Sequence, residues 1–159
     1  MEPTDHRIVD VHAHLCDSSF DSDLTEVLVR AREAGISAVV AVSEDLSDAQ
    51  KNLELAARHP MIRPAAGLHP TSLNLEQAHE MHEFVRLHRD RLAAIGEVGL
   101  DYWVVREEPD MELQREIFRG FVALAKELSL PLNVHSRSAG RHAVALLLEC
   151  GAARVQLHA

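Results

Sequence analysis

Short apolar segments alternate with amphipathic segments along almost the whole chain, and this alternation limits the fold more than any other feature. The apolar segments are rich in β-branched residues, as strands buried on both faces should be. The segments between them repeat apolar residues three and four apart, which indicates helices with one buried face. Regular strand–helix alternation predicts a parallel sheet with right-handed crossovers. We predict strands over 8–14, 36–42, 62–67, 92–97, 131–135 and 153–158, and helices over 24–34, 47–59, 75–91, 110–128 and 143–148.

Two architectures fit such a pattern, an open doubly wound sheet and a (β/α)8 barrel. The open sheet commonly carries a glycine-rich phosphate turn after its first strand. Residues 15–20 follow the first predicted strand here and contain no glycine. The barrel instead builds its active site from side chains at the carboxyl ends of its strands, so the polar residues decide between the two.

Residues able to bind a metal stand at the end of nearly every predicted strand. A single histidine of this kind is weak evidence, since His158 alone could be a core residue and His69 a turn residue. Their repetition at the same point of successive units favours a barrel, here of six strands and five helices, with one metal-binding end. The residues are His12, His14, Glu44, His69, Glu97, His135 and His158.

The first strand shows how such a site could be built. Side chains alternate along a strand, so Asp10, His12 and His14 should share one face and apolar residues the other. Two histidines so spaced can reach one ion with nitrogen ligands, and a nearby carboxylate can orient or join them. A surface strand with its polar face in water is the alternative.

Glu97 is the residue best suited to join two ions, since a carboxylate has two oxygens. It could link an ion held by His12 and His14 to a second held by His135 and His158. Two ions about 3.5 to 4 Å apart can activate a shared water and stabilise a phosphoryl group under attack. Four histidines and one glutamate suit zinc, manganese, iron or a mixed pair, whereas magnesium prefers oxygen ligands. The set therefore predicts a metal-dependent hydrolase.

Composition sets broader limits. The chain has 159 residues, 47% hydrophobic and 26% charged, which is ordinary for one globular domain. Its net charge of −9 argues against broad electrostatic capture of nucleic acid, so a polyanionic substrate would have to be held locally. Two cysteines without paired spacing, an N-terminus (1–7) without signal-peptide features and no long apolar stretch predict a soluble, intracellular protein of the cytoplasm or nucleus, with no membrane contact.

The remaining histidines are not predicted to take part in chemistry. His79 and His82 stand three residues apart beside glutamates, whereas the zinc-protease helix needs a spacing of four. Both should lie on a solvated helix face. His6, His59, His88 and His142 lie in the N-terminal segment or in polar helical surroundings.

Three motifs resemble those of the TatD-type deoxyribonucleases, a family of amidohydrolase-like metal-dependent barrels. The Asp10–His14 stretch (DVHAH) resembles the family's opening motif, Gly96–Tyr102 (GEVGLDY) its central one and Pro131–Arg137 (PLNVHSR) its third. The turn Gly67–Pro70 (GLHP) also matches. The resemblance implies two divalent ions, Mg, Mn or Zn, held by the five residues named above. It further implies hydrolysis of DNA phosphodiesters in single strands or at strand ends, with His69 and Arg137 binding substrate phosphate, and makes Asp101 and Tyr102 secondary.

The family barrel has eight strands, with an aspartate from the last completing the first metal site, and needs about 250 residues. We therefore expect residues 1–159 to form one partial barrel domain that lacks the last two βα units and that aspartate, with first and last strands exposed as edges prone to self-association. Three hypotheses stay open. The chain is a metal-dependent deoxyribonuclease, a catalytically inactive shortened form of one, or a hydrolase of a small amide or phosphate ester, since fold does not fix substrate.

Overall fold

Strands and helices alternate through the part of the chain that the computed structural model describes, residues 8–159. The expectations for residues 1–7, including His6, lie outside these residues. The strands are β1 (Ile8–Ala13), β2 (Ile36–Ala41), β3 (Ile62–Ala66), β4 (Ala94–Gly99), β5 (Leu132–His135) and β6 (Val155–His158). The helices are α1 (Leu24–Glu33), α2 (Leu46–Arg58), α3 (Leu75–His88), α4 (Glu108–Leu128) and α5 (Gly140–Glu149).

The six strands form one parallel sheet in the order β1-β2-β3-β4-β5-β6. Each helix carries the chain from the end of one strand to the start of its sheet neighbour, as βα units require. The predicted fold is confirmed, an incomplete (β/α)8-type barrel of six strands and five helices. The pairing aligns Gly99 with His135 and His135 with His158, so the carboxyl ends of β4, β5 and β6 lie side by side.

Helix boundaries differ from the predicted ones where a different side chain caps the helix. Helix α2 begins at Leu46, one residue before the predicted start at 47, because Asp45 caps it by accepting a hydrogen bond from the Asp48 amide. An aspartate at the N-cap satisfies an otherwise unpaired amide of the first turn. Helix α3 ends at His88, because residues 89–91 tighten into a 3-10 turn before β4.

The main core lies between the sheet and helices α3, α4 and α5. Its largest fully buried side chains come from α3, α4, β4 and the residue after β4. A smaller cluster joins β1 and β2 to α1 and α2. The buried side chains of the main core include Met81, Ile95, Leu100, Phe118 and Phe121.

Among residues 8–159, no helix has both the length and the apolar character needed to cross a bilayer.

The apolar side chains of β1 are largely exposed, which agrees with the expectation that the first strand is an edge of the sheet. Ile8, Val9 and Val11 are 54, 47 and 44% exposed. β1 and β6 are the terminal strands of the sheet, and within residues 8–159 no backbone ladder joins them. Instead the Asn133 side chain of β5 reaches across the interior and donates a hydrogen bond to the Val11 carbonyl (2.7 Å).

Candidate metal centre

Side chains from β1, β4, β5 and β6 meet at the carboxyl end of the sheet. In a barrel of parallel strands, the strand ends and the loops that follow them present their side chains there. Two three-residue sets have donor atoms within 4.8 Å of one another: His12, His14 and Glu97, and Glu97, His135 and His158. The five residues predicted to bind metal are therefore brought together in the two groups expected, and Glu97 belongs to both.

Glu97 lies at the centre of this cluster and is 2% exposed. Its Oε2 lies 2.7 Å from His158 Nε2, 3.4 Å from His12 Nε2 and 3.7 Å from His135 Nδ1. Its Oε1 faces His69 Nε2 at 3.3 Å and His14 Nε2 at 3.8 Å. Each carboxylate oxygen thus faces more than one imidazole, and Glu97 contacts histidines of both sets.

The unpartnered ring nitrogens of His158 show that the donors fit a cation. Both of its ring nitrogens are buried, and neither has a hydrogen-bond partner in the described part of the chain, because the close approach of Nε2 to Glu97 lacks hydrogen-bond geometry. Unpartnered buried polar atoms are costly and rare in native proteins. An ion between His158 and Glu97 would satisfy both the ring nitrogen and the carboxylate. The nitrogen-rich donor set suits zinc or manganese better than magnesium.

Asn133 fixes the orientation of His12, a role that sequence reasoning missed. Asn133 Nδ2 donates to the Val11 carbonyl, so Oδ1 is the atom 2.9 Å from His12 Nδ1. Only a protonated Nδ1 can hydrogen-bond this oxygen, which leaves a lone pair on Nε2. That nitrogen faces Glu97 and lies 3.2 Å from His14 Nε2. A second residue that fixes tautomer and ring orientation is typical of metal-binding histidines.

His69 has the opposite tautomer. The Thr71 amide and hydroxyl both lie against His69 Nδ1, at 3.3 and 2.7 Å, and the amide can only donate. Nδ1 is therefore the acceptor, and Nε2 carries the proton that faces Glu97. A ring that presents N–H suits a phosphate oxygen better than a cation. The role of His69 in binding substrate phosphate stays a prediction.

Asp101 is closer to the chemistry than the sequence suggested. It is 2% exposed, and its Oδ2 lies 3.0 Å from His135 Nε2. Asp101, His69 and His135 form a third set of donors within 4.8 Å of one another. His135 is thus held between two carboxylates, Glu97 on Nδ1 and Asp101 on Nε2. The position of Asp101 four residues after Glu97, in the same motif, is the signal that could have identified this residue.

Burial and the contacts between carboxylates and imidazoles shift the pKa values of several residues in the cluster. Burial alone would raise the pKa of Glu97, but contacts with His135 and His158 hold that pKa well below its usual range. Glu97 is therefore ionised. Burial lowers the pKa values of His12 and His69, which keeps both rings neutral near pH 7. Burial alone would lower the pKa of His135. The nearby carboxylates Glu97 and Asp101 outweigh this effect, so the pKa of His135 is raised.

Three other predicted polar residues lie at the margin of the cluster. Glu44 is exposed, with its Oε1 3.7 Å from His14 Nδ1. Asp10 belongs to none of the three metal-competent sets, and its Oδ1 accepts a hydrogen bond from the His12 amide (3.1 Å). Arg137, after β5, is exposed and holds its guanidinium carbon 5.2 Å from the centre of the Trp103 ring.

Known proteins resemble this chain along most of its length. Deoxyribonuclease TATDN3 from Homo sapiens is 40% identical in an alignment that covers 96% of this chain and 60% of that protein. The metal-dependent hydrolase YabD from Bacillus subtilis is 34% identical, over 93% of this chain and 58% of its own length. The crystal structure of YJJV, a TatD homologue from Escherichia coli K12, superimposes with a TM-score of 0.82 at 25% identity, over 92% of this chain and 57% of that one.

The chain thus spans little more than half the length of the relatives that it matches. The family model described as TatD related DNase matches residues 9–159, which contain the Glu97 cluster, β2 to β6 and all of β1 except Ile8. The chain belongs to the TatD related DNase family.

Proposed function

We propose that this chain is a metal-dependent hydrolase of DNA phosphodiester bonds with two divalent ions. His12 and His14 would hold one ion, His135 and His158 the other, and Glu97 would bridge them. The observation that carries the proposal is the sharing of Glu97 by two three-residue donor sets. When bound, the ions would supply an activated water and stabilise charge on the phosphoryl oxygens. Mn²⁺ and Zn²⁺ suit the nitrogen donors best, and Mg²⁺ is the third candidate.

The side chains around the donors would position the substrate. His69 presents Nε2–H toward the cluster and would donate to a phosphate oxygen. The Arg137 guanidinium, with its planar fork of donors, would bind a second phosphate. Asp101 would keep His135 oriented through Nε2. These local groups matter because a net charge of −9 gives no general attraction for DNA.

The substrate we infer is single-stranded DNA or a strand end, handled in an intracellular compartment. Cys16 and Cys150 are both free, as a reducing compartment would leave them. Self-association is a further part of the proposal. The apolar residues Ile8, Val9 and Val11 of β1 are exposed at one end of the sheet, and Leu157 of β6 is 42% exposed at the other. Uncovered strands of this kind favour pairing with another chain.

The test uses the purified chain, labelled single-stranded DNA and Mn²⁺, Zn²⁺ or Mg²⁺ in turn. We expect metal-dependent cleavage that falls about 100-fold or more in Glu97→Gln and in His158→Ala, because each variant removes a donor from the two-ion site. His79→Ala is the matched control, since His79 is exposed on α3 and outside the cluster, and it should cleave as the unmodified chain does.

Intact DNA under all three metals, or equal cleavage by Glu97→Gln, would contradict the proposal. Cleavage of p-nitrophenyl phosphate or a small amide with DNA left intact would instead identify a small-molecule hydrolase. Metal binding measured by calorimetry without cleavage of any substrate would identify a non-catalytic form.

A further inference from the structure

An exposed tryptophan stands beside the candidate metal centre, in the loop after β4. Trp103 is 54% exposed and its neighbour Val104 is 56% exposed, so two large apolar side chains face solvent. The buried carboxylate of Asp101 anchors this backbone, because Oδ1 accepts hydrogen bonds from the amides of Trp103 (2.9 Å) and Val104 (3.0 Å). The other oxygen of the same carboxylate contacts His135. The backbone that carries the indole is therefore anchored through Asp101, which also contacts the candidate metal ligand His135.

Two arginines flank the indole. The guanidinium carbons of Arg137 and Arg106 lie 5.2 and 5.7 Å from the ring centre, within the range of cation–π attraction. Arg106 Nε also donates to the Trp103 carbonyl (2.9 Å), and the Arg137 carbonyl accepts from the Tyr102 amide (3.0 Å). Among residues 8–159, no carboxylate lies within 4.0 Å of either guanidinium. The positive charge is thus available to a ligand.

We propose that Trp103 is a stacking platform for one base of the nucleic-acid substrate, with Arg106 and Arg137 binding the phosphates on either side. This inference rests on the proposed function and deepens it, because it names the part of the strand that the chain recognises. An aromatic ring between cations is the arrangement that binds single strands without sequence preference.

A base in a duplex is already stacked on both sides and would not reach the indole. A platform of this kind therefore selects an unpaired base at a strand end or in a single strand. Its chemistry also predicts tolerance of all four bases, since each has a π-face. Removal of the base, not its exchange for another, should abolish the contact.

The binding test uses the intrinsic fluorescence of Trp103, the sole tryptophan in the chain. A single-stranded thymidylate hexamer and the same backbone with abasic sites are titrated into the chain in EDTA, which prevents hydrolysis. We expect saturable quenching by the thymidylate hexamer and about 5- to 150-fold weaker binding of the abasic one, the range for one stacked base. Equal binding of both, or an unperturbed indole with bound hexamer, would overturn the inference.

Variants extend the test by anisotropy of a dye-labelled hexamer. Trp103→Ala should weaken binding of the thymidylate hexamer by about 5- to 150-fold and leave the abasic hexamer unaffected, while Trp103→Phe should retain most of the affinity. Val104→Ala is the control for loss of an exposed apolar side chain and should bind as the unmodified chain does. Unchanged affinity in Trp103→Ala would overturn the inference.

The two proposals fail in different ways. Base-dependent binding through Trp103 with no cleavage under any metal would overturn the proposed function and support the platform. Metal-dependent cleavage with the same KM for thymidylate and abasic strands in the unmodified chain would overturn the platform and support the hydrolase.

Discussion

The protonated nitrogen of each histidine decides what that residue can do in the cluster. The Asn133 amide, itself fixed by the Val11 carbonyl, leaves a lone pair on His12 Nε2. Thr71 does the reverse to His69 and leaves a proton on Nε2. Two rings that both contact Glu97 are thus prepared for different partners, His12 for a cation and His69 for an anion.

Asn133→Ala should therefore weaken metal binding without removing a ligand. It frees the His12 ring to rotate and to change tautomer, and we expect Zn²⁺ affinity, measured by isothermal titration calorimetry, to fall about 10- to 100-fold. Asn133→Asp keeps an acceptor for His12 Nδ1 and should retain most of the affinity. Asn74→Ala removes the cap of α3 and serves as a control for general destabilisation. Equal affinity in Asn133→Ala and the unmodified chain would show that Asn133 has no such role.

The sequence predicted residues of this cluster better than it predicted their partners. His12, His14, Glu97, His135 and His158 stand at or near the carboxyl ends of β1, β4, β5 and β6, and the parallel sheet brings these ends to one side. The contact of Asn133 with His12 joins residues 121 positions apart and depends on how far a side chain reaches across the barrel interior. Neither the periodicity of the sequence nor the spacing of its motifs shows how far the Asn133 side chain reaches.

At the scale of elements, the end of β4 determines how Asp101 reaches His135. Gly99 has a φ of +146°, a conformation that other residues rarely adopt. A β-carbon there would overlap the carbonyl oxygen of His135, to which the Leu100 amide donates a hydrogen bond (3.0 Å). The close approach of β4 to β5 at this point turns the chain so that Asp101 lies beside the histidine.

Gly99→Ala should accordingly destabilise the protein and disturb the site. The unfavourable backbone conformation alone costs about 1–3 kcal/mol, and the overlap with β5 adds to it, so we expect the free energy of unfolding in urea to fall by about 2 kcal/mol or more. Gly140→Ala is the matched control, because a β-carbon at the start of α5 meets no atom within 4 Å. Its stability should be unchanged or slightly higher. Equal effects of the two substitutions would contradict this account of Gly99.

Element order was predictable and element ends were not. Burial on both faces makes the strands apolar, and a single buried face gives the helices their period, so both signals are strong. The start of a helix depends on one capping side chain, such as Asp45 at α2. Several neighbouring residues could act as that cap, so the pattern does not fix the end. The positive φ at Gly99 and the resulting position of Asp101 likewise depend on a contact with another strand.

For the whole molecule, the candidate metal centre joins the two ends of the sheet. His12 and His14 come from the β1 segment and His158 from β6, yet all three rings contact Glu97 of β4. The His12 and His158 ring centres are 3.9 Å apart. Backbone hydrogen bonds between β1 and β6 are absent from the described residues, so this cluster and the Asn133 side chain connect β1 to the far side of the sheet.

Metal binding should therefore stabilise the entire fold. A ligand at 100 times its Kd adds about 2.7 kcal/mol to the free energy of unfolding, which for a chain of this size raises Tm by about 5–10 °C. We expect Zn²⁺ to produce such a rise, EDTA to reverse it, His158→Asn to lose most of it and His79→Asn to keep it in full. Scans at two protein concentrations separate metal binding from self-association, since only association makes Tm depend on protein concentration. An equal rise in His158→Asn would show that the stabilising ion is bound elsewhere, and that Glu97 does not join the two ends of the sheet through a metal.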